Sequence, residues 1–142
     1  MYELEITGEF CAAHFLAGYP GKCKNIHGHT WQVKATILAY TLEESGPARG
    51  MVMDFHKFKT ILNDALAKFD HRLIYEKGEL SPALKTALDA TGFELLEVPY
   101  RPTAENLARA IYDDLRAAGL FVGAVEVQET PTNVARFKGG NY

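Results

Sequence analysis

The chain has no large surplus of one charge and no apolar run long enough to cross a membrane. Its 15 Lys and Arg stand against 18 Asp and Glu, for a net charge of −3 and a pI near 5.9. That balance offers no basic patch for a phosphate backbone, so nucleic acid is not an expected partner. The first residues, Met-Tyr-Glu-Leu-Glu-Ile, lack a basic stretch followed by an apolar one, so neither a secretory leader nor a membrane anchor is expected. Cysteine is scarce: only Cys11 and Cys23 are present. A chain of 142 residues with 47% hydrophobic content can bury a core without a disulfide, so both thiols are read as free and the protein as cytoplasmic. Linkers, repeats and low-complexity segments are also missing, and residues 1–142 are expected to form a single domain.

Against that plain background, the histidines stand out. His27-Gly28-His29 follows Cys23 by four residues, and His14 lies upstream. On an extended chain residues two apart share a face, so His27 and His29 can reach one ion. His14 would complete the set from a neighbouring strand. Three neutral imidazoles hold Zn²⁺ and leave its fourth position open, the arrangement of catalytic zinc. His56, at the start of an amphipathic helix, reads instead as an exposed or capping residue.

Hydropathy patterning supplies the frame. Leu4 and Ile6 alternate with Glu3 and Glu5, giving a strand from Tyr2 to about His14; Gly and Pro between Ala17 and Lys22 then break it into a loop that carries Cys23. From His29 to about Tyr40, Trp31, Val33, Ala35 and Ile37 oppose Gln32, Lys34 and Thr36, so the two strands are expected to pair as a long antiparallel hairpin. Asp54 caps a helix with Phe55, Phe58, Ile61, Leu62, Ala65, Leu66 and Phe69 at helical spacing. Ser81-Pro82 opens a short helix that Gly92 closes, and another begins near Thr103 and stops at Gly119. Phe93 to Val98, Ala124 to Glu129 and Val134 to Lys138 are strand candidates. The order is α+β, an antiparallel sheet backed by helices. Such a sheet has open edges, and pairing them with other copies would form a ring, so a homo-oligomer is expected over a monomer that covers its own edges.

The chemistry these residues allow is specific. Zn²⁺ on the oxygens of a substrate side chain acidifies the adjacent C–H, and a thiol beside a cation ionises readily, so Cys23 suits proton abstraction. Asp70 can orient His71 and stabilise its charged form for proton donation, provided the chain bends after Phe69. Glu129 shares the parity of Val125 and Val127, which suggests a partly buried acid able to accept two hydrogen bonds from a guanidine-like edge. Each assignment has a competitor. Cys23 is open to being a fourth zinc ligand, Asp70-His71 to being a helix C-terminus, Glu129 to being a solvated strand residue and Glu105 to a helix-dipole role.

Phe10-Cys11-Ala12-Ala13-His14, Cys23-Lys24-Asn25-Ile26-His27-Gly28-His29, Phe69-Asp70-His71, Pro102-Thr103-Ala104-Glu105-Asn106 and Gln128-Glu129-Thr130-Pro131, in that order along the chain, resemble the 6-pyruvoyl-tetrahydropterin synthase family. The three-residue spacer between Cys23 and His27 is most similar to the bacterial 6-carboxytetrahydropterin synthase branch of the queuosine pathway. The resemblance implies a tunnelling fold, in which subunit sheets join into a barrel, as a hexamer built from two trimers, with active sites between neighbours. It implies 7,8-dihydroneopterin triphosphate as substrate, shortened to a carboxylate with release of acetaldehyde and triphosphate. By the same resemblance His14, His27 and His29 match the zinc ligands, Cys23 the proton-abstracting thiol, Asp70 and His71 its partner pair, and Glu129 the pterin anchor. Glu105 and Thr103 match a segment lining the pterin pocket. The pattern is broken at Cys11, where serine is common, at Arg72-Leu73-Ile74-Tyr75, and by a longer connection over about residues 75–98. Those departures leave a pyruvoyl-tetrahydropterin synthase activity on the same substrate as an alternative, and a zinc-stabilised assembly module without catalysis as the rival class.

Overall fold

The computed structural model describes residues 1–140. Six strands form one sheet: β1 (Tyr2–His14), β2 (His27–Ala39), β3 (Arg72–Glu76), β4 (Leu95–Val98), β5 (Val122–Thr130) and β6 (Asn133–Lys138), in the order β4-β3-β1-β2-β5-β6. The helices are α1 (Phe55–Ala67), α2 (Pro82–Thr91) and α3 (Ala104–Ala117), and a single 3₁₀ turn covers Lys22–Lys24. No helix among the described residues is long and apolar enough to cross a membrane.

Strands β1, β2, β5 and β6 are antiparallel neighbours, and the expected hairpin is present with Tyr2 opposite Ala39 and His14 opposite His27. The sheet is not antiparallel throughout, however. Arg72–Glu76, for which no strand was expected, runs parallel to β1 and to β4. Leu73, Ile74 and Tyr75 form a short apolar run without alternation, because consecutive Ile74 and Tyr75 are both buried, on opposite faces, and leave no polar face to mark the strand.

Alternation puts Ile6, Phe10, Trp31, Val33, Ala35, Val125 and Val127 on one face, all buried, and α1 and α3 pack over it. Helix α1 contributes Phe58, Leu62 and Leu66; Phe55, though at helical spacing, is 54% exposed. Helix α3 buries Leu107, Ala108, Ile111, Tyr112 and Leu115. Asp54, Ser81 and Thr103 each cap a helix as expected, accepting from Lys57, Leu84 and Asn106 backbone N–H groups. Gly92 closes α2 at φ 86°, a left-handed conformation that favours glycine. Helix α2 buries no residue.

Candidate active site

The histidines gather at one end of the helix-covered face. Register sets this directly: His14 is the cross-strand partner of His27, and His29 lies two residues further on the same face. Trp31, fully buried, forms the floor, its ring edge-on to His14 and His29 at centroid distances of 4.8 and 5.1 Å. Gly28, between the two ligand candidates, faces the β1 backbone at Ala12 and Ala13.

Hydrogen bonds orient the rings. His14 Nδ1 donates to the Pro102 carbonyl at 2.7 Å and His27 Nδ1 to the Asn25 carbonyl at 2.7 Å. With Nδ1 donating, the Nε2 atoms of the two rings are left to face each other, and they stand 3.0 Å apart. Two lone pairs facing each other at that distance repel unless a cation sits with them. His29 Nε2 is buried without a hydrogen-bond partner. Burial, above all, lowers the His14 pKa to about 4, the Pro102 carbonyl pulling the other way, and His29 is also pushed down by burial. Both rings therefore keep the neutral form that binds metal. Glu129 Oε1 lies 3.3 Å from His14 Nε2 and 3.4 Å from His29 Nε2. One donor atom from each of His14, His27, His29 and Glu129 falls within 4.8 Å of the others, so this set fits a metal ion.

Glu129 is the surprise of this cluster. Its parity puts it on the face of Val127, beside Trp31 and the imidazoles, and a bulge in the β5–β6 pairing falls at this position. Cys23 is half-buried and does not join the donor set. It lines a cleft of about 320 Å³ shared with His14, Tyr19, Thr103, Glu105 and Glu129. Thr103 is held there as the α3 cap and Glu105 stands in the first turn of that helix.

Asp70 and His71 occupy a different place. His71 adopts φ 57°, left-handed for a non-glycine residue, which supplies the bend after Phe69. The turn is clamped to β1: the Cys11 N–H donates to Asp70 Oδ1 at 2.9 Å, and the His71 N–H donates to the Cys11 carbonyl at 2.6 Å. Asp70 Oδ2 meets His71 Nδ1 at 2.9 Å. The Cys11 N–H, followed by His71, holds the Asp70 carboxyl below its ordinary range. His71 is 80% exposed and lines a cavity of about 670 Å³ with Cys11, Gly28, His29, Thr30 and Phe93. Within one chain the pair and the Cys23 cleft have no lining residue in common. His56 is exposed in the first turn of α1.

Residues 3–140 match the family model described as 6-pyruvoyl tetrahydropterin synthase. The chain belongs to that family. It is 33% identical over 141 residues to the 6-carboxy-5,6,7,8-tetrahydropterin synthase of Haemophilus influenzae, covering 97% of this chain and 99% of the relative. The protein of that name from Aquifex aeolicus is 35% identical, over 82% of this chain and 76% of its own. Among solved structures, 6-pyruvoyl tetrahydropterin synthase of Caenorhabditis elegans superposes with a TM-score of 0.67 at 25% identity, over 98% and 96% of the two chains. An uncharacterised protein of Wolinella succinogenes shares the fold, with a TM-score of 0.74 at 22% identity over 96% and 97%.

Proposed function

We propose that the protein is a zinc-dependent 6-carboxy-5,6,7,8-tetrahydropterin synthase. It converts 7,8-dihydroneopterin triphosphate and water to the carboxy-pterin, acetaldehyde and triphosphate, as a cytoplasmic step of queuosine biosynthesis. The observation that carries this reading is an imidazole triad of metal-binding geometry, one member of which, His14, lines the same cleft as a thiol that stands outside the donor set.

His14, His27 and His29 hold the ion, and imidazole donors suit zinc. Bound Zn²⁺ supplies Lewis acidity toward the oxygens of the substrate side chain. Cys23 Sγ takes a proton from a side-chain carbon of the substrate. Asp70 holds His71 Nδ1, which leaves Nε2 as the atom that moves a proton on the opposite side of the reacting carbons. Glu129 accepts the guanidine-like edge of the pterin, with Glu105 and Thr103 lining the ring's cleft.

The cavity of His71 does not include Cys23, so the proposed pairing of these two groups draws on a second copy of the chain, and the sheet edges support such an assembly. Strand β1 meets β3 only through Ala12, Ala13 and His14, so the outer edge of Tyr2–Phe10 has no neighbouring strand among the described residues. The outer edge of β6 is likewise open, and β6 runs antiparallel to β1. On the face away from the helices β1 carries Glu3, Glu5 and Glu9, whereas β6 carries Arg136 and Lys138. Within the chain these edges are linked by alternating ion pairs, Glu5 to Lys34 at 3.3 Å, Lys34 to Glu126 at 4.0 Å and Glu126 to Arg136 at 3.2 Å. Acidic edge against basic edge favours head-to-tail closure into a ring, here a trimer paired into a hexamer.

The test is incubation of the zinc-loaded protein with 7,8-dihydroneopterin triphosphate and mass analysis of the products. Carboxy-pterin with acetaldehyde supports the proposal. A pyruvoyl-pterin moves the chain to the other branch, and no turnover with Cys23→Ala losing as much metal as His27→Ala leaves a zinc-stabilised assembly module.

A further inference from the structure

The loop that carries Cys23 and the segment that holds His14 are far apart in sequence, and one side chain ties them together. Arg101, half-buried, donates from Nη2 to the Ala17 carbonyl at 2.8 Å, and its guanidinium lies 5.9 Å from the centre of the Tyr19 ring. Both partners belong to the loop before Cys23. That loop is closed on itself by the Leu16 N–H donating to the Cys23 carbonyl at 2.8 Å. Tyr19 packs over Gly21, where an added Cβ would come within 2.8 Å of the ring.

The backbone of Arg101 is equally constrained. Its carbonyl accepts from Asn106 Nδ2 at 2.9 Å and from the Thr103 N–H at 2.8 Å, which fixes it to the start of α3. The next residue, Pro102, offers the carbonyl that orients His14. A single side chain thus sets the thiol loop against the segment that orients a metal ligand. A guanidinium suits this task, since its rigid fork can hold a carbonyl while its plane lies on an aromatic face.

We propose that Arg101 is a positioning residue that holds the Cys23 loop in register with the metal centre. It rests on the assignment of Cys23 as the reacting thiol. With the contact to Ala17 lost, the loop opens locally and the thiol spends more time exposed, while the histidines keep their own carbonyl partners.

The experiment compares Arg101→Met and Arg101→Lys in a Cys11→Ser background, where Cys23 is the single thiol. Alkylation of Cys23 by iodoacetamide is followed in the metal-loaded protein from about pH 6 to about pH 9, a range that brackets ordinary thiol ionisation. Arg101→Met is expected to speed alkylation about tenfold at every pH, the factor that goes with losing a hydrogen bond from a charged donor. Metal stoichiometry stays at the parent value, kcat falls and KM for the pterin triphosphate stays put. Arg101→Lys, which keeps a donor on a long stem, recovers part of each change. Tyr19→Ala, on an exposed ring that cannot threaten folding, moves alkylation the same way by less.

Unchanged alkylation overturns the proposal. So does a displaced pH midpoint with no common factor, which would make Arg101 an electrostatic partner of the thiol. A raised KM with unaltered alkylation and kcat would make it a substrate contact, and loss of metal together with a general fall in thermal stability would make it a structural prop. If the parent protein turns over no pterin, the functional reading fails separately, and the alkylation arm still decides the role of Arg101.

Discussion

The two polar clusters of this molecule are built in opposite ways. The imidazole cluster sits over Trp31 on the helix-covered face, with His14 only 1% exposed and each Nδ1 of His14 and His27 tied to a carbonyl. The Asp70-His71 pair stands on a clamped turn with its imidazole largely in solvent. A partly buried set whose donor atoms converge within 4.8 Å can hold an ion without help from another chain. The exposed dyad lines a cavity that Cys23 does not enter, so on the proposed reading another copy of the chain brings Cys23 to it. The contrast teaches that the imidazole cluster is assembled by one chain, whereas the proposed reaction would draw on two.

The largest effect should come from breaking the self-contained cluster. His27→Ala is expected to abolish turnover and weaken metal binding well beyond the ~100-fold typical of an outer partner, read by metal analysis after dialysis. Cys23→Ala and His71→Ala should each keep metal yet lose ~10²–10⁴ in rate. If the dyad serves a neighbour's thiol, mixing these two inactive variants should restore about a quarter of the parental activity through random assembly. No recovery on mixing would mean that both groups act within one chain.

Glu129 sharpens the boundary between the clusters. As a pterin anchor its replacement by Ala should weaken pterin binding, measured by calorimetry, and leave metal content intact. Loss of metal would assign the carboxylate to the donor set beside the imidazoles.

A smaller effect concerns acid. His14 carries a folded pKa of about 4 against an ordinary 6.5, so the unfolded chain binds its proton at higher pH than the folded one. Metal-free protein should therefore hold its full stability above pH 6.5 and lose it as the pH falls toward 4, by up to about 3 kcal/mol. Urea unfolding of chelator-treated protein at several pH values checks this, and His14→Gln should flatten the slope. The smallest change expected is at the sheet edge. Arg136→Glu removes one exposed pair with Glu126, worth less than about 1 kcal/mol within the chain, but its like-charge meeting with a neighbour's β1 should lower the assembled fraction in sedimentation.

Much of the antiparallel half was legible in the residues, and for a physical reason. Strands covered on one face only, such as β1 with Leu4, Ile6 and Phe10 and β2 with Trp31 and Val33, must alternate, and their pairing brings His14 opposite His27. The parallel annex was not legible, because Arg72–Glu76 is short, buries consecutive Ile74 and Tyr75 on opposite faces and lacks that period. Contacts that depend on irregular backbone were also hidden. Arg101 reaches Ala17 across 84 residues of sequence. The bend at Asp70-His71 could be required from chemistry but not seen in composition.

X-ray absorption at the metal edge of protein purified without chelator tests the central claim most directly. The account predicts about one zinc per chain with imidazole nitrogens at about 2.0–2.1 Å and no sulfur shell. A sulfur scatterer at about 2.3 Å would make Cys23 a ligand, and it, or the absence of bound metal, would contradict the proposed catalyst.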